Sequence, residues 1–238
     1  MWLIAEFEAV TLFSLRPSFT TSAGGTTLLA PTPFSVKMAL FDVLCRTISL
    51  SMAKHYWPTI CQLEIGLRPA EQAVVSHVFQ RVLRPSRKDA QPNDPTFEGY
   101  FQRTIGYREY VHFAGSFGLA FGWEGQQCYN WLRDAVLNVT YLGKRGGFVQ
   151  VLSVPEYKEF LPPEFVSLTQ PATNFSFDGT LQMLDDCAAQ LSFDKINVYV
   201  NVYDRAAKLN EKDRPLRYVV LPYRLKRSSK SFSWYERG

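Results

Sequence analysis

The chain is poor in the residues that most catalytic and metal chemistry needs. It has three histidines, His55, His77 and His112, with no HExxH spacing, no other paired-histidine spacing and no nucleophile elbow around a serine. Its four cysteines, Cys45, Cys61, Cys128 and Cys187, are far apart, and no pair has the two-residue spacing that clamps zinc; they read as reduced core residues. Neither a metal site nor a cofactor is expected. No Walker spacing is present, which disfavours a nucleoside triphosphate. No apolar run approaches the ~20 residues of a membrane helix, so no membrane partner is expected. The opening MWLIAEFEAV has no basic leader and places Glu6 and Glu8 within its apolar stretch, so a signal peptide is not expected and the expected compartment is the cytoplasm.

What is present is the balance of a globular protein. Hydrophobic residues make up 46% of the 238 and charged residues 20%, enough apolar surface to offset the entropy of ordering the chain. Aromatic residues reach 15%, supplying flat faces for core packing or base stacking. The formal charge of +4 is modest, so the placement of the cations matters more than their sum.

Residues 2 to 13 alternate as a strand and end in SFTTSAGGTT, which cannot continue one. Thr32 and Pro33 then form a helix start, a capping hydroxyl followed by proline at the first helical position. Phe34, Met38, Phe41, Cys45 and Ile48 recur at helical spacing, predicting a helix over 33–49 with that stripe on a sheet. A strand is expected over 59–67, a helix over about 69–83, and an exposed projection over the proline-broken, basic stretch from Arg84 to Pro95. The run 104–122 reads as a hairpin turning at Ala114 and Gly115, with Arg108, Tyr110 and His112 on one face and Glu109, Val111 and Phe113 on the other. A helix over 126–142 is expected to end at Gly143, before the strand FVQVLSV. This order of strand, helix, strand, insertion, strand, helix, strand is the split βαβ pattern, so the expected fold is α+β, a ferredoxin-like (RRM-like) domain over 1–155. Residues 156–238 are expected to add a small β-rich C-terminal module, with a short helix near 180–191 and strands over KINVYVNVY and RYVVLPYRL.

Three basic loci could meet a polyanion. In Lys144-Arg145-Gly146-Gly147, two cations precede two glycines that can expose backbone N–H groups to phosphate, although the same residues make an ordinary surface turn. The loop from Ser22 to Thr32, with Gly24, Gly25, Thr26 and Thr27, feeds a helix N-terminus that favours anions, and Lys37 lies one turn inside. In the tail, Arg214, Arg217, Arg224, Lys226, Arg227, Lys230 and Arg237 interleave with aromatic rings, a pattern that suits single-stranded nucleic acid, a protein interface or a charge-guarded strand edge. Catalysis has one candidate, a metal-free ribonuclease cluster of Arg108, Tyr110 and His112 acting at a ribose 2′-hydroxyl; a half-buried strand histidine is the competing reading. Asp185 and Asp186 are expected on a helix surface.

The segments LLAPTPFSVKMALFDVL, TIGYREYVHFAGSFGLAF and YLGKRGGFVQV resemble the CRISPR-associated RAMP superfamily, within it the "Cas five" branch that caps the 5′ handle of the guide RNA in type I Cascade complexes. The resemblance covers residues 1–155 well and the basic tail loosely. It implies a non-catalytic guide-RNA-binding subunit whose partners are the crRNA 5′ handle and the Cascade backbone and large subunits, with target DNA near the PAM-proximal end a further candidate. Carried over, Lys144, Arg145, Gly146 and Gly147 are the glycine-rich loop, Gly24, Gly25, Thr26, Thr27 and Lys37 line the handle, and the projection at about 84–101 is an inserted thumb that meets the backbone subunit; Arg108 and Arg227 are further expected RNA contacts. One branch of the family cleaves repeat RNA, which keeps the Arg108, Tyr110 and His112 cluster as the alternative.

Overall fold

The structure, a computed structural model, describes residues 1–19, 25–85, 93, 99–144, 146–170, 178–197 and 209–238. Strand β1 (Trp2–Ala9) buries Leu3, Ala5 and Phe7 and turns Glu6 and Glu8 outward, as its alternation requires. Helix α1 (Pro33–Thr47) starts where expected, with the Thr32 hydroxyl accepting from the Ser35 amide at 3.1 Å. Its core face, however, is Val36, Leu40, Val43 and Leu44. The expected stripe is only half-buried from Phe34 to Cys45, and Ile48 beyond it is 53% exposed. α1 is apolar on two flanks, and spacing alone does not choose which of them meets the sheet.

A second helix, α2 (Leu50–Gln62), occupies the first part of the expected strand and delays β2 (Glu64–Arg68). Ser49 caps it by accepting from the Met52 amide, and Ala53, Trp57, Ile60 and Cys61 make its buried side. Pro58 sits inside α2 and removes one helical hydrogen bond; burial of Trp57 and Ile60 on either side carries the helix through it. The helix expected over 69–83 is a strand, β3 (Gln72–Pro85), in which Ala73 and Val75 alternate with half-buried Val74 and Ser76. It pairs along its whole length with β4 (Phe101–Ala114), from Gln72 opposite Ala114 to Pro85 opposite Phe101. β-Branched residues paired on both edges outweigh any helical spacing here.

β4 makes no hairpin with β5 (Phe117–Gly122). Gly115, at φ +83°, turns the chain out of one sheet and into another, where β5 lies between β1 and β2 and is buried on both faces. Helix α3 (Asn130–Leu137) is shorter than expected and ends at Asn138, so Gly143 is not its C′ residue, and Cys128 is exposed. Strands β6 (Val149–Val151), β7 (Glu156–Lys158) and β8 (Val166–Ser167) complete an antiparallel sheet in the order β6-β1-β5-β2-β8, with β7 also on β1. The expected helix near 180–191 is instead β9 (Thr180–Asp185); a four-residue helix, α4 (Phe193–Ile196), follows. The expected strand over KINVYVNVY thus begins as helix, and residues 198–203 lie outside the described residues. β9 pairs with β10 (Leu216–Leu221), while β11 (Tyr223–Ser228) and β12 (Phe232–Arg237) join the second main sheet, ordered β11-β12-β3-β4.

The C-terminal segment therefore threads back through both sheets, β7 onto β1, β8 onto β2 and β12 onto β3. One apolar cluster runs from Leu3 through Trp57 and Val111 to Leu184 and Tyr223. β12 accompanies β3 only as far as Ser76, so beyond His77 the β3–β4 pair projects as a two-stranded arm. Phe79, Leu83, Phe101 and Ile105 are exposed along it. The expected thumb, 84–101, leaves this arm after Pro85 and rejoins it at Phe101, and residues 86–92 and 94–98 lie outside the described residues.

Candidate nucleic-acid interface

After β1, residues 12–15 run beside β4, with Phe13 and Val111 exchanging backbone hydrogen bonds of 2.8 Å. The chain returns at a turn closed by the Tyr141–Phe148 bridge. Inside that turn the Leu142 amide donates to the Gly147 carbonyl and the Gly147 amide to the Lys144 carbonyl. The Thr11 hydroxyl donates to the Gly146 carbonyl and accepts from the Phe148 amide at 2.9 Å. Gly146 takes φ +111°, and a Cβ on Gly147 would stand 2.8 Å from both the Leu142 carbonyl and the Phe13 ring. The turn is thus fixed in shape by glycine, and the Gly147 amide is spent internally.

Between this turn, residues 12–15 and β4 lies a groove of about 270 Å³, lined by Arg108, Tyr110, Lys144, Gly146 and Gly147 among others. The structure brings the glycine-basic turn and the β4 face together, which the spacing of the residues could not show. Desolvation by the groove walls, followed by the charges of Arg16 and Arg108, pulls the Lys144 ammonium below the ordinary lysine value. Arg108 and Lys144 both line the groove and Arg16 acts on Lys144 from beside it; like charges this close repel each other, and an anion relieves that repulsion. Arg16 was not singled out from the sequence; the signal was its position immediately after the alternating apolar residues Phe13 and Leu15.

Other expected contacts fall elsewhere. Lys37 is 1% exposed, and its ammonium donates to the Asp186 carboxylate at 2.7 Å and the Cys61 carbonyl at 2.9 Å, so it is not available to an RNA. Asp185 and Asp186 are buried, not on a helix surface; Arg214 pairs with the first and Arg217 with the second. Of the remaining tail cations, Arg224 meets Asp178, Lys226 meets Glu236 and Arg237 donates to the Pro69 carbonyl. Arg227 is exposed on β11, with β12 and β3 between it and the β4 groove. Gly24 and Arg145 lie outside the described residues.

The described end of the glycine loop before α1 is bound to β4 through Gly25 and Thr27. The Glu109 amide donates to the Gly25 carbonyl, the Thr27 amide to the Glu109 carboxylate, and the Leu15 amide to the Thr27 hydroxyl; Thr26 is exposed. Glu109 also meets His77 Nδ1 at 3.0 Å and accepts from the Tyr107 hydroxyl, while His77 Nε2 lies 3.2 Å from the Ser233 hydroxyl. Burial first, then the hydrogen bond and charge of Glu109, push the Tyr107 phenol up to about 12. A tyrosine deprotonates more readily in the unfolded chain, near 10, so this contribution to stability is complete below pH 10 and is lost as pH rises toward 12. Denaturant titrations at pH 9 and pH 11 will show a smaller alkaline loss for Tyr107→Phe than for the parent; equal losses would remove Tyr107 from the alkaline limb.

Arg108 and Tyr110 line the groove, and His112 is exposed on the same strand face outside the groove lining. Among the described residues, no cluster of three His, Cys, Asp or Glu side chains could hold a metal, and no helix is long and apolar enough to cross a membrane.

A second, larger cleft of about 810 Å³ lies along the half-buried flank of α1. Phe34, Met38 and Phe41 line it from α1, Phe193 and Ile196 from α4, and Arg16, Lys144 and Arg214 stand among its polar residues. The turn and the N-terminus of α1 both border this cleft, through Gly143 and Lys144 on one side and Thr32 and Ser35 on the other.

No family model and no curated protein matches the sequence. Among solved structures, the fold is similar to that of a CRISPR protein from Archaeoglobus fulgidus, at 13% identity and a TM-score of 0.52, over 100% of this chain and 92% of that one. A chain of a CRISPR RNA-guided surveillance complex is similar at 16% identity and a TM-score of 0.44, over 92% of this chain and 87% of that one. The first likeness is one of fold, a mixed α/β chain with antiparallel sheets; the second is too distant to add to it.

Proposed function

We propose that this protein is a subunit of a CRISPR surveillance complex that holds guide RNA by its backbone along the Arg108–Lys144 groove and does not cleave it. The observation that carries the reading is the meeting of Arg16, Arg108 and Lys144 around a glycine-shaped turn. The shared fold with a CRISPR protein supports it. So does the strand order β6-β1-β5-β2, with helices linking β1 to β2 and β5 to β6, which is the arrangement of a ferredoxin-like split βαβ domain. On the "Cas five" resemblance, the RNA segment held is the 5′ handle, and the β3–β4 arm with its exposed Phe79, Leu83 and Ile105 meets a neighbouring backbone subunit.

Arg108→Ala with Lys144→Ala weakens binding of a single-stranded repeat RNA and flattens the plot of log affinity against log salt by about 0.7 per cation removed. Fluorescence anisotropy across a salt series measures both quantities. Unchanged affinity and slope sink the groove. The same RNA incubated in EDTA stays intact; cleavage that disappears in His112→Ala would replace this reading with a metal-independent ribonuclease.

A further inference from the structure

Two of the four cysteines meet in the core. Cys61, in the last turn of α2, and Cys187, just beyond β9, are 3% and 2% exposed, and both are free thiols. Their backbones are joined through the Lys37–Asp186 pair: the Lys37 ammonium donates to the Cys61 carbonyl at 2.9 Å and to Asp186 Oδ1 at 2.7 Å, and that same oxygen accepts from the Cys187 amide at 2.7 Å. The two side chains hydrogen-bond to each other across the seam this makes between α2 and the C-terminal segment. The Trp57 indole crosses the same seam to the Leu191 carbonyl. A single thiol in such a seam is a small apolar filler; two in contact can also be joined. The hydrogen bond to Cys61 first, and burial second, hold the Cys187 thiol well above the ordinary cysteine range, so it stays protonated and inert while the seam is closed. The Lys37 ammonium acts the other way and favours a thiolate at Cys187 once the seam loosens.

We propose that Cys61 and Cys187 are a redox lock, a dithiol that a small disulfide oxidant converts to a disulfide when the C-terminal segment opens from α2, and that then holds the segment shut. In the open state one cysteine gives up its proton, and its thiolate attacks a sulfur of the oxidant. A mixed disulfide forms and one oxidant thiolate leaves, taking up a proton. The other cysteine, deprotonated in turn, attacks the protein sulfur of that mixed disulfide and expels the second oxidant thiolate, which is protonated likewise. Two protein thiols are thus oxidised by two electrons, and one oxidant disulfide is reduced to two thiols. The new bond restricts the opened chain far more than the closed one, so it favours the closed segment.

Cys45, half-buried on α1, and Cys128, exposed, stand outside the pair and would compete for the oxidant. The test therefore uses the full chain carrying Cys45→Ser and Cys128→Ser, held with oxidised glutathione in buffer and in urea below the unfolding transition, then quenched with an alkylating reagent. Intact mass shows the loss of two hydrogens with no glutathione retained, and digestion yields one peptide pair joined through Cys61 and Cys187. The bond forms about 10-fold faster in the urea than in buffer, because the reaction runs from the opened segment. The oxidised protein unfolds at higher urea than the reduced one and returns to the reduced midpoint in dithiothreitol; Cys61→Ala in the same background shows no such shift. Peptide mapping of the oxidised parent chain finds the same joined pair, which separates the result from any effect of the two serines on folding. Two free thiols after oxidation in urea, glutathione adducts that never resolve, or a bonded protein that unfolds at lower urea than the reduced one would each overturn the lock.

Discussion

Lys37→Met lowers the free energy of unfolding by about 3–5 kcal/mol, the cost of leaving one half of a buried ion pair without the other. The ammonium sits in a pocket that admits almost no water and holds the Asp186 carboxylate at 2.7 Å. The same Asp186 oxygen accepts from the Cys187 amide at 2.7 Å, and Arg217 reaches the other oxygen only at 3.5 Å. Without Lys37, a buried carboxylate keeps one distant cation, and the Cys61 carbonyl loses its donor. Lys37→Met combined with Asp186→Asn removes both charges while keeping an acceptor for Cys187, so the double variant recovers more than half of the loss. Urea unfolding of the two single variants and the double variant measures this, and a Lys37→Met cost below about 1 kcal/mol would mean that the pair is not buried as described. RNA affinity of the same variant is unchanged, because Lys37 reaches neither the groove nor the cleft.

Lys37 also marks where the sequence stops being legible. A lysine one turn inside a helix that follows a glycine loop has the look of a phosphate contact, and its true partner lies 149 residues away. The start of α1 was readable because Thr32 and Pro33 are local signals, and the glycine turn was readable because only glycine suits its backbone. The faces of β4 were readable from period-two alternation. Pairing was not. Nothing local distinguishes a β4 that folds onto β5 from one that folds onto β3, and the long β3–β4 pair was hidden by a run whose apolar spacing also fits a helix. α2 left a usable trace, Ser49 followed by Ala53, Trp57, Ile60 and Cys61 at helical spacing, and Pro58 obscured it. The groove combines residues from three parts of the chain, so each half of it, Arg108 with Tyr110 and Lys144 with Gly147, was visible only as a separate candidate.

The second large effect falls on Trp57 and bears on whether residues 156–238 fold apart from the rest. The side chain is 1% exposed, its indole N–H donates to the Leu191 carbonyl at 2.8 Å, and its ring meets Phe41 edge-on at 5.4 Å. Trp57→Ala opens a cavity between α2, α1 and the segment after β9, and lowers stability by about 3–5 kcal/mol. Trp57→Phe keeps most of the volume and leaves the Leu191 carbonyl unpaired, for a loss of about 1–3 kcal/mol. The shape of the transition carries as much information as its midpoint. Trp57 to Leu191, Lys37 to Asp186 and the β12–β3 ladder each tie the C-terminal residues to the first 155. Far-ultraviolet circular dichroism should therefore follow one cooperative step in the parent and in both variants, with the whole curve displaced to lower denaturant. An independent module from residue 156 onward requires the opposite pattern, two steps of which Trp57→Ala displaces only one. Because the α4 wall of the cleft is built from that C-terminal segment, a single step also means that the α1 and α4 walls of the cleft form and melt together.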